Sequence, residues 1–214
     1  MTIYMYSGTP GSGKSLHAAN DIRFSLNRRT PRPVLGNFEI AENAPVKNLD
    51  LYHYMPNDKL DVDFLTDFAT DYWDSGVKSF REDWILLVVD ECQLLFNSRT
   101  WNAKTRLRWL GFMTQHRKYG YKIILIAQSA KMVDNQFRML VEYEVNHRKL
   151  KSMGFIGWLL SLPFGGRLFM WVTYLFQSQE RLGSQWYMYK KKDADMYDSY
   201  KRFEGNADTK KFTG

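Results

Sequence analysis

Residues Gly8-Thr9-Pro10-Gly11-Ser12-Gly13-Lys14-Ser15 match the pattern G-x-x-x-x-G-K-[ST] at every fixed position. Each position has a chemical reason. Glycines let the backbone curl until its N–H groups face a common centre, which suits phosphate oxygens. A helix starting inside the loop adds the positive end of its dipole. Lys14 offers a charge to the β- and γ-phosphates, and Ser15 a hydroxyl to Mg²⁺. With Thr9, Pro10 and Ser12 filling the loop, the whole stretch from Gly8 to Ser15 is a candidate nucleotide-binding segment. Its flanks agree. Thr2 to Tyr6 is a short run rich in β-formers, and Lys14 to about Asn27 places Leu16, Ala19, Ile22 and Leu26 on one helical stripe.

Outward from the loop, the next informative stretch is WILLVV, Trp84 to Val89. A continuous apolar run of this length reads as a strand buried on both faces of a parallel sheet. Asp90-Glu91 follows it directly. Asp90, at the strand's carboxyl end, is placed to hold the Mg²⁺ shell. Glu91 is placed to take a proton from water, so the pair suits hydrolysis of ATP better than transfer to a small acceptor. A third buried run, Lys122 to Ala127, ends in Gln128. An amide at the carboxyl edge of an open α/β sheet lies where ligands bind and can sense a γ-phosphate or orient water. If the site lies between subunits, an arginine supplied in trans would steady transition-state charge. Arg99, Arg117, Arg138 and Arg148 are the candidates. Arg117 ranks first because His116-Arg117-Lys118-Tyr119-Gly120 immediately precedes the Gln128 strand. His116 has no Cys or His partner at metal spacing, and no zinc site is expected.

The remaining segments complete an α/β pattern. Val34 to Ile40 reads as a strand after Pro31 and Pro33, and residues 43–60 as loop. Asp63 is positioned to cap a helix with Leu65, Phe68, Ala69, Tyr72 and Trp73 on one face, ending at Gly76. Ala103 to Tyr119 reads as a helix with Leu107, Leu110, Met113 and Thr114 inward. A short helix around Asp134 to Leu140 and a strand at Val141 to Arg148 follow. Strands alternating with helices predict a P-loop NTPase core over residues 1–150, a mainly parallel sheet with helices on both faces. Residues 151–192 form an aromatic-rich hydrophobic segment and hairpin. Within it, Met153 to Phe176 is broken by Pro163, Gly165, Gly166 and Arg167, whereas a membrane span needs about 20 uninterrupted residues. A hairpin pairing Arg167–Phe176 with Gln185–Lys191, turning near Gly183-Ser184, is expected. A membrane-resting or subunit-contacting patch is the other use for this segment. Residues 193–214 read as a basic polar tail.

Bulk properties narrow the classes. With 44% hydrophobic and 25% charged residues, the chain is ordinary globular protein rather than a disordered tract. A net charge of +7 favours nucleic acid or anionic lipid as a neighbour. The single cysteine, Cys92, excludes an internal disulfide framework and reads as a small buried hydrophobe. MTIYMYSG has neither the basic start nor the cleavage site of a signal peptide.

Three stretches together carry a resemblance: Gly-Thr-Pro-Gly-Ser-Gly-Lys-Ser, then Leu-Val-Val-Asp-Glu-Cys-Gln, then Gln-His-Arg-Lys-Tyr-Gly-Tyr-Lys-Ile-Ile-Leu-Ile-Ala-Gln. They resemble the zonular occludens toxin (Zot) family, the assembly ATPases of filamentous bacteriophages, within the wider group of FtsK- and HerA-like DNA-pumping ATPases. In that group an Arg-x-x-Gly stretch precedes a strand ending in Gln, as Arg117 to Gln128 does here. Met196-Tyr197-Asp198-Ser199-Tyr200 also resembles the family segment leading to a membrane span. The resemblance implies an ATP- and Mg²⁺-dependent ring, a hexamer, at the host inner membrane with its ATPase domain on the cytoplasmic side. It implies coat and assembly proteins, and the packaged single-stranded DNA complex, as partners. By the matched motifs, Gly8, Gly11, Gly13, Lys14 and Ser15 bind nucleotide, Asp90 and Glu91 handle metal and water, and Gln128 senses phosphate. A clear membrane span is missing from the sequence, which reads either as a truncated cytoplasmic domain or as a short member touching the membrane through Met153 to Phe176. The competing readings are a translocase acting directly on DNA, a nucleotide-gated scaffold and a small-molecule kinase; Glu91 and Gln128 argue against the last.

Overall fold

Three strands with almost no exposed side chains stand together at the centre of the molecule: β4 (Ile85–Val89), β5 (Tyr121–Ile126) and β1 (Ile3–Ser7). The computed structural model describes residues 2–76, 79–96, 103–152, 154–164 and 167–197. Every residue of β4 is buried, as a strand covered on both faces must be. The pairing is parallel, with Met5 opposite Leu125 and Leu87 opposite Ile123. Around this centre the sheet has eight strands in the order β3-β2-β4-β5-β1-β6-β7-β8. The added strands are β2 (Val34–Gly36), β3 (Tyr52–Tyr54), β6 (Tyr143–Lys149), β7 (Leu168–Leu175) and β8 (Arg181–Met188). The first six in that order run parallel, and the β7–β8 hairpin is added antiparallel at the β6 edge.

Period-two alternation sends residues of each strand to two cores. Ile3, Met5, Ile85, Leu87, Ile123 and Leu125 pack with α2 (Val62–Asp74) and α3 (Ala103–Gln115). Tyr6, Leu86, Val88, Ile124 and Ile126 pack with α1 (Lys14–Asn27). The layered α/β architecture expected from the sequence is therefore the observed one. Two short helices and one intermediate one complete it: α4 (Asn135–Arg138), α5 (Gly154–Ser161) and α6 (Lys191–Ala194).

Several details differ from the sequence expectations. Strand β2 stops at Gly36, and the stretch read as loop contains β3, which pairs with β2. Asp61, not Asp63, caps α2, its side chain accepting from the Phe64 N–H at 2.8 Å. Asp63 instead pairs with Arg108 of α3. Along α3 the inward residues are Trp109, Phe112 and Met113, while Leu107 is 68% exposed and Thr114 is exposed. The two large rings decide the helix phase, because their buried area outweighs that of Leu107; Phe96 and Tyr121 receive them edge-on. The α-helix ends at Gln115, and a 3₁₀ turn carries His116–Tyr119. The hairpin turns at residues 176–180 rather than at Gly183, which sits opposite Thr173 in the ladder.

The last described residues are packed rather than solvated. Asp193 is fully buried and accepts from Arg23 and from the Tyr187 hydroxyl. Met196 is fully buried, and its carbonyl accepts from the Ala41 N–H at 2.8 Å. Asp198, Ser199 and Tyr200 lie outside the described residues. No helix among the described residues is long and apolar enough to cross a membrane.

Candidate active site

The Gly-rich segment joins the carboxyl end of β1 to the first residue of α1. Gly13 takes φ 99°, and a Cβ there would stand 2.8 Å from the Phe169 ring. At Gly8, with φ 143°, a Cβ would meet the His147 carbonyl at 2.5 Å. These two positions require glycine for both backbone and space. Ser12 N–H closes the curl onto the Thr9 carbonyl at 3.1 Å. Lys14 is buried and folds its ammonium back onto the Gly8 and Thr9 carbonyls, at 2.7 and 3.2 Å. Burial lowers its pKa, and the Glu91 and Asp90 carboxylates oppose that shift. The Ser12 hydroxyl is buried without a hydrogen-bond partner among the described residues. An orphan hydroxyl, a bent-back lysine and the unpaired first-turn amides of α1 are donors that fit a phosphate group.

Strand β5 lies between β1 and β4, so Gln128 stands between the phosphate loop and the carboxylates. Its carbonyl accepts the Gly8 N–H at 3.3 Å, and its side chain is exposed. Asp90 and Glu91 follow β4 in a tight turn where Glu91 has φ 44°. That left-handed backbone is costly for a non-glycine residue. It is held by the Asp90 carboxylate accepting the Glu91 N–H at 2.9 Å, and by Cys92 N–H donating to the Ile126 carbonyl at 2.9 Å. Burial pushes the Asp90 carboxyl up to about 6. Cys92 itself is fully buried, and burial raises its thiol pKa.

Residues the sequence reading did not single out complete this turn. Asn37, just past β2, accepts the Asp90 N–H at 2.6 Å and donates to the Asp90 carbonyl at 2.9 Å. Gln93 is buried and donates to a Glu91 carboxylate oxygen. A second missed cluster lies beneath the loop. His17 is stacked between Tyr6 and Trp171, with ring centroids at 4.5 and 3.9 Å. His147 Nδ1 lies 3.2 Å from the Ser7 carbonyl, which fixes that nitrogen as the donor; its Nε2 then accepts from His17 Nδ1 at 2.9 Å. Burial lowers both imidazoles to about 3. No periodicity marks these histidines, because the cluster joins β1, α1, β6 and β7 only after folding.

A cavity of about 940 Å³ opens beside the loop, on the β6 flank away from the carboxylates. Gly8, Thr9 and Gln128 line one wall, and Arg138 and Arg148 are also in its lining. Arg117 lies at the other end of β5, six residues of strand away from Gln128, in a two-pronged ion pair with Glu82 at 2.7–3.0 Å. It cannot reach the phosphate loop of its own chain. Arg99 lies outside the described residues. No group of three His, Cys, Asp or Glu that could hold a metal occurs among the described residues. Ser15 opens α1 directly after Lys14 and Asp90 follows β4, so the two residues that the sequence offers to Mg²⁺ stand at the same edge of the parallel strands.

A Gly-Lys-Ser loop closing the first strand of a parallel sheet, with an acidic strand end two places away, defines a P-loop NTPase fold. The chain belongs to the zonular occludens toxin (Zot) family, whose model matches residues 2–160. It is 33% identical over 180 residues to the Gene 1 protein of Salmonella phage IKe, covering 78% of this chain and 46% of that one. It is 29% identical over 183 residues to the Gene 1 protein of Enterobacteria phage M13, covering 78% and 49%. The chain thus spans about half the length of these curated relatives. Among solved structures, the N-terminal domain of zonular occludens toxin from Neisseria meningitidis matches with TM-score 0.57 and 21% identity, covering 92% and 98% of the two chains. B204, the DNA-packaging ATPase of Sulfolobus turreted icosahedral virus, matches with TM-score 0.53 and 16% identity, covering 87% and 96%. At those identities the structural matches speak for the fold.

Proposed function

We propose that this chain is the ATP-hydrolysing motor domain of a filamentous-phage assembly and export protein. The observation that carries the reading is geometric: the Gly8–Ser15 loop follows β1, Asp90-Glu91 follows β4 at the same edge of the parallel strands, and Gln128 follows β5 between them. Gly8 to Ser15 would wrap the phosphates, Lys14 exchanging its two carbonyl partners for phosphate oxygens. Mg²⁺, held by Ser15 and Asp90, supplies charge neutralisation at the phosphates when bound. Glu91, aimed by Gln93 and by its strained backbone, takes the proton of the attacking water, while Gln128 contacts the γ-phosphate side. Family membership and the likeness to phage Gene 1 proteins support assembly and export as the process driven. Coat and assembly proteins, the phage DNA–protein complex and the host inner membrane are the partners this role needs. A ring, with an arginine crossing from one copy to the next, agrees with an Arg117 that is remote from its own loop.

The test is ATP hydrolysis by the purified protein across protein concentrations, beside Glu91→Gln. A rate that climbs steeply with concentration and is lost in Glu91→Gln supports a self-assembling ATPase with Glu91 as base. Equal rates in the two proteins would overturn that role for Glu91.

A further inference from the structure

The cavity beside the phosphate loop is basic. Lys131, Arg138, Arg148 and Lys149 line it, and none of the four pairs with a carboxylate among the described residues. The one acidic residue in its lining among the described residues, Glu144, is engaged by the Ser7 hydroxyl at 2.6 Å. Four cations around one opening repel one another unless an anionic group enters.

An acidic surface lies on the other half of the sheet. Helix α2 carries Asp63, Asp67, Asp71 and Asp74, all exposed, at spacings of four, four and three residues. That spacing places them on one face of a helix, over about 16 Å at 1.5 Å per residue. Asp63 is paired with Arg108, but Asp67, Asp71 and Asp74 have no side-chain partner among the described residues. Four like charges along one helical face destabilise it unless a cationic surface covers them. Helix α2 packs over the β3–β2–β4 half, through Phe68 on His53 and Tyr72 on Trp84, whereas the cavity flanks β6.

We propose that the cavity receives the acidic face of α2 from a second copy of this chain. The two surfaces differ and lie on opposite halves of the sheet, so the contact is head-to-tail, the kind that closes into a ring. Gly8, Thr9 and Gln128 line the same cavity, so the joint would border the phosphate loop. The α2 of the incoming copy is packed on the 3₁₀ turn of Arg117, through Trp73 Nε1 donating to the Tyr119 carbonyl at 3.0 Å. The docking therefore carries the Arg117 end of one copy toward the nucleotide site of the next. It rests on the ring-forming ATPase reading above and names the surfaces that reading leaves open.

The test captures the contact covalently. Thr70, exposed among the aspartates, and Ala130, in the cavity wall, are both changed to cysteine; native Cys92 is fully buried and does not compete. Mild oxidation of the Thr70→Cys/Ala130→Cys protein should give a ladder of disulfide-linked oligomers that neither single variant gives. Adding Arg138→Glu and Arg148→Glu should cut the ladder at least about tenfold, and further adding Asp67→Lys and Asp71→Lys should restore it. A ladder no stronger than in the single variants overturns the docking, as does one indifferent to the charge reversals. If the arginine reversals instead abolish salt-sensitive binding of a single-stranded oligonucleotide and leave the ladder intact, the cavity is a nucleic-acid groove and the proposal falls. Binding of a fluorescent ATP analogue, measured on the same proteins, reports the phosphate loop separately. Normal binding with no ladder defeats the docking alone, and a ladder without binding defeats the ATPase reading.

Discussion

Single side chains of the site have separable effects. Lys14→Ala removes the one cation of the loop and should reduce ATP affinity by at least about two orders of magnitude, read by titration with a fluorescent analogue. Glu91→Gln keeps shape and removes the base, so binding should persist while turnover falls about 10²–10⁴-fold in a phosphate-release assay. Asn37→Ala deletes the clamp on both backbone groups of Asp90. It should lower turnover through a misplaced carboxylate while leaving ATP affinity near that of the parent. Gly13→Ala forces a methyl into the Phe169 ring from a left-handed backbone and should cost stability as well as binding. The positions of Gly8 to Ser15, Asp90, Glu91 and Gln128 just past β1, β4 and β5 could be read from the sequence, because each follows a buried apolar run directly. Asn37 and Gln93 were not, since a polar residue past a strand carries no pattern until a partner is placed against it.

Between elements, the aromatic and imidazole stack ties the start of α1 to β1, β6 and the β7–β8 hairpin. Trp171→Ala should destabilise the fold by about 3–5 kcal/mol in urea unfolding, the range for a large buried ring. The stack also gives stability a pH dependence. Both His17 and His147 have lowered pKa values, so they are neutral in the fold and gain protons on unfolding. Their contribution is complete above the ordinary histidine value of 6.5 and is lost as pH falls from there toward 3. Unfolding midpoints in urea should drop between pH 7 and pH 5, at up to about 1.4 kcal/mol per histidine per pH unit below that value. A His17→Gln/His147→Gln protein should show a shallower fall. A steeper or unchanged one would mean other groups govern acid stability. The hairpin's existence could be read from the sequence, but its turn could not. Gly183-Ser184 looks like a turn locally, whereas the pairing of Trp171 with Gln185 and the burial of Tyr187 hold Gly183 inside the ladder.

Assembly is a property of the whole molecule. If Arg117 acts on the neighbouring copy, its ion pair with Glu82 must open at the joint, and Arg117→Ala alone should depress turnover without weakening ATP binding. Mixing Arg117→Ala with Glu91→Gln subunits should recover part of the activity, because some joints then combine an intact arginine with an intact glutamate. No recovery, where another arginine variant does recover, would assign the role elsewhere. Fold class was visible at this scale because strands β1, β4 and β5 are buried on both faces and therefore write uninterrupted apolar runs. The position of α3 was less so: Leu107 and Trp109 both fit a helical stripe, and only the volume available over β4 and β5 selects the larger ring.

By itself the sequence determined the Gly-rich loop after the first strand, the acidic end of the WILLVV strand, the fold class and the family. Those features are local, set by dihedral freedom, side-chain chemistry and periodicities within about 20 residues. Tertiary structure alone decided that Arg117 stands away from its own loop, that two histidines share a buried hydrogen bond under it, and that a basic cavity faces one way while an acidic helix faces the other. Those are relations between residues far apart in the chain, 130 positions in the case of His17 and His147. Such distances in the chain become contacts only when the strand order is chosen by burial.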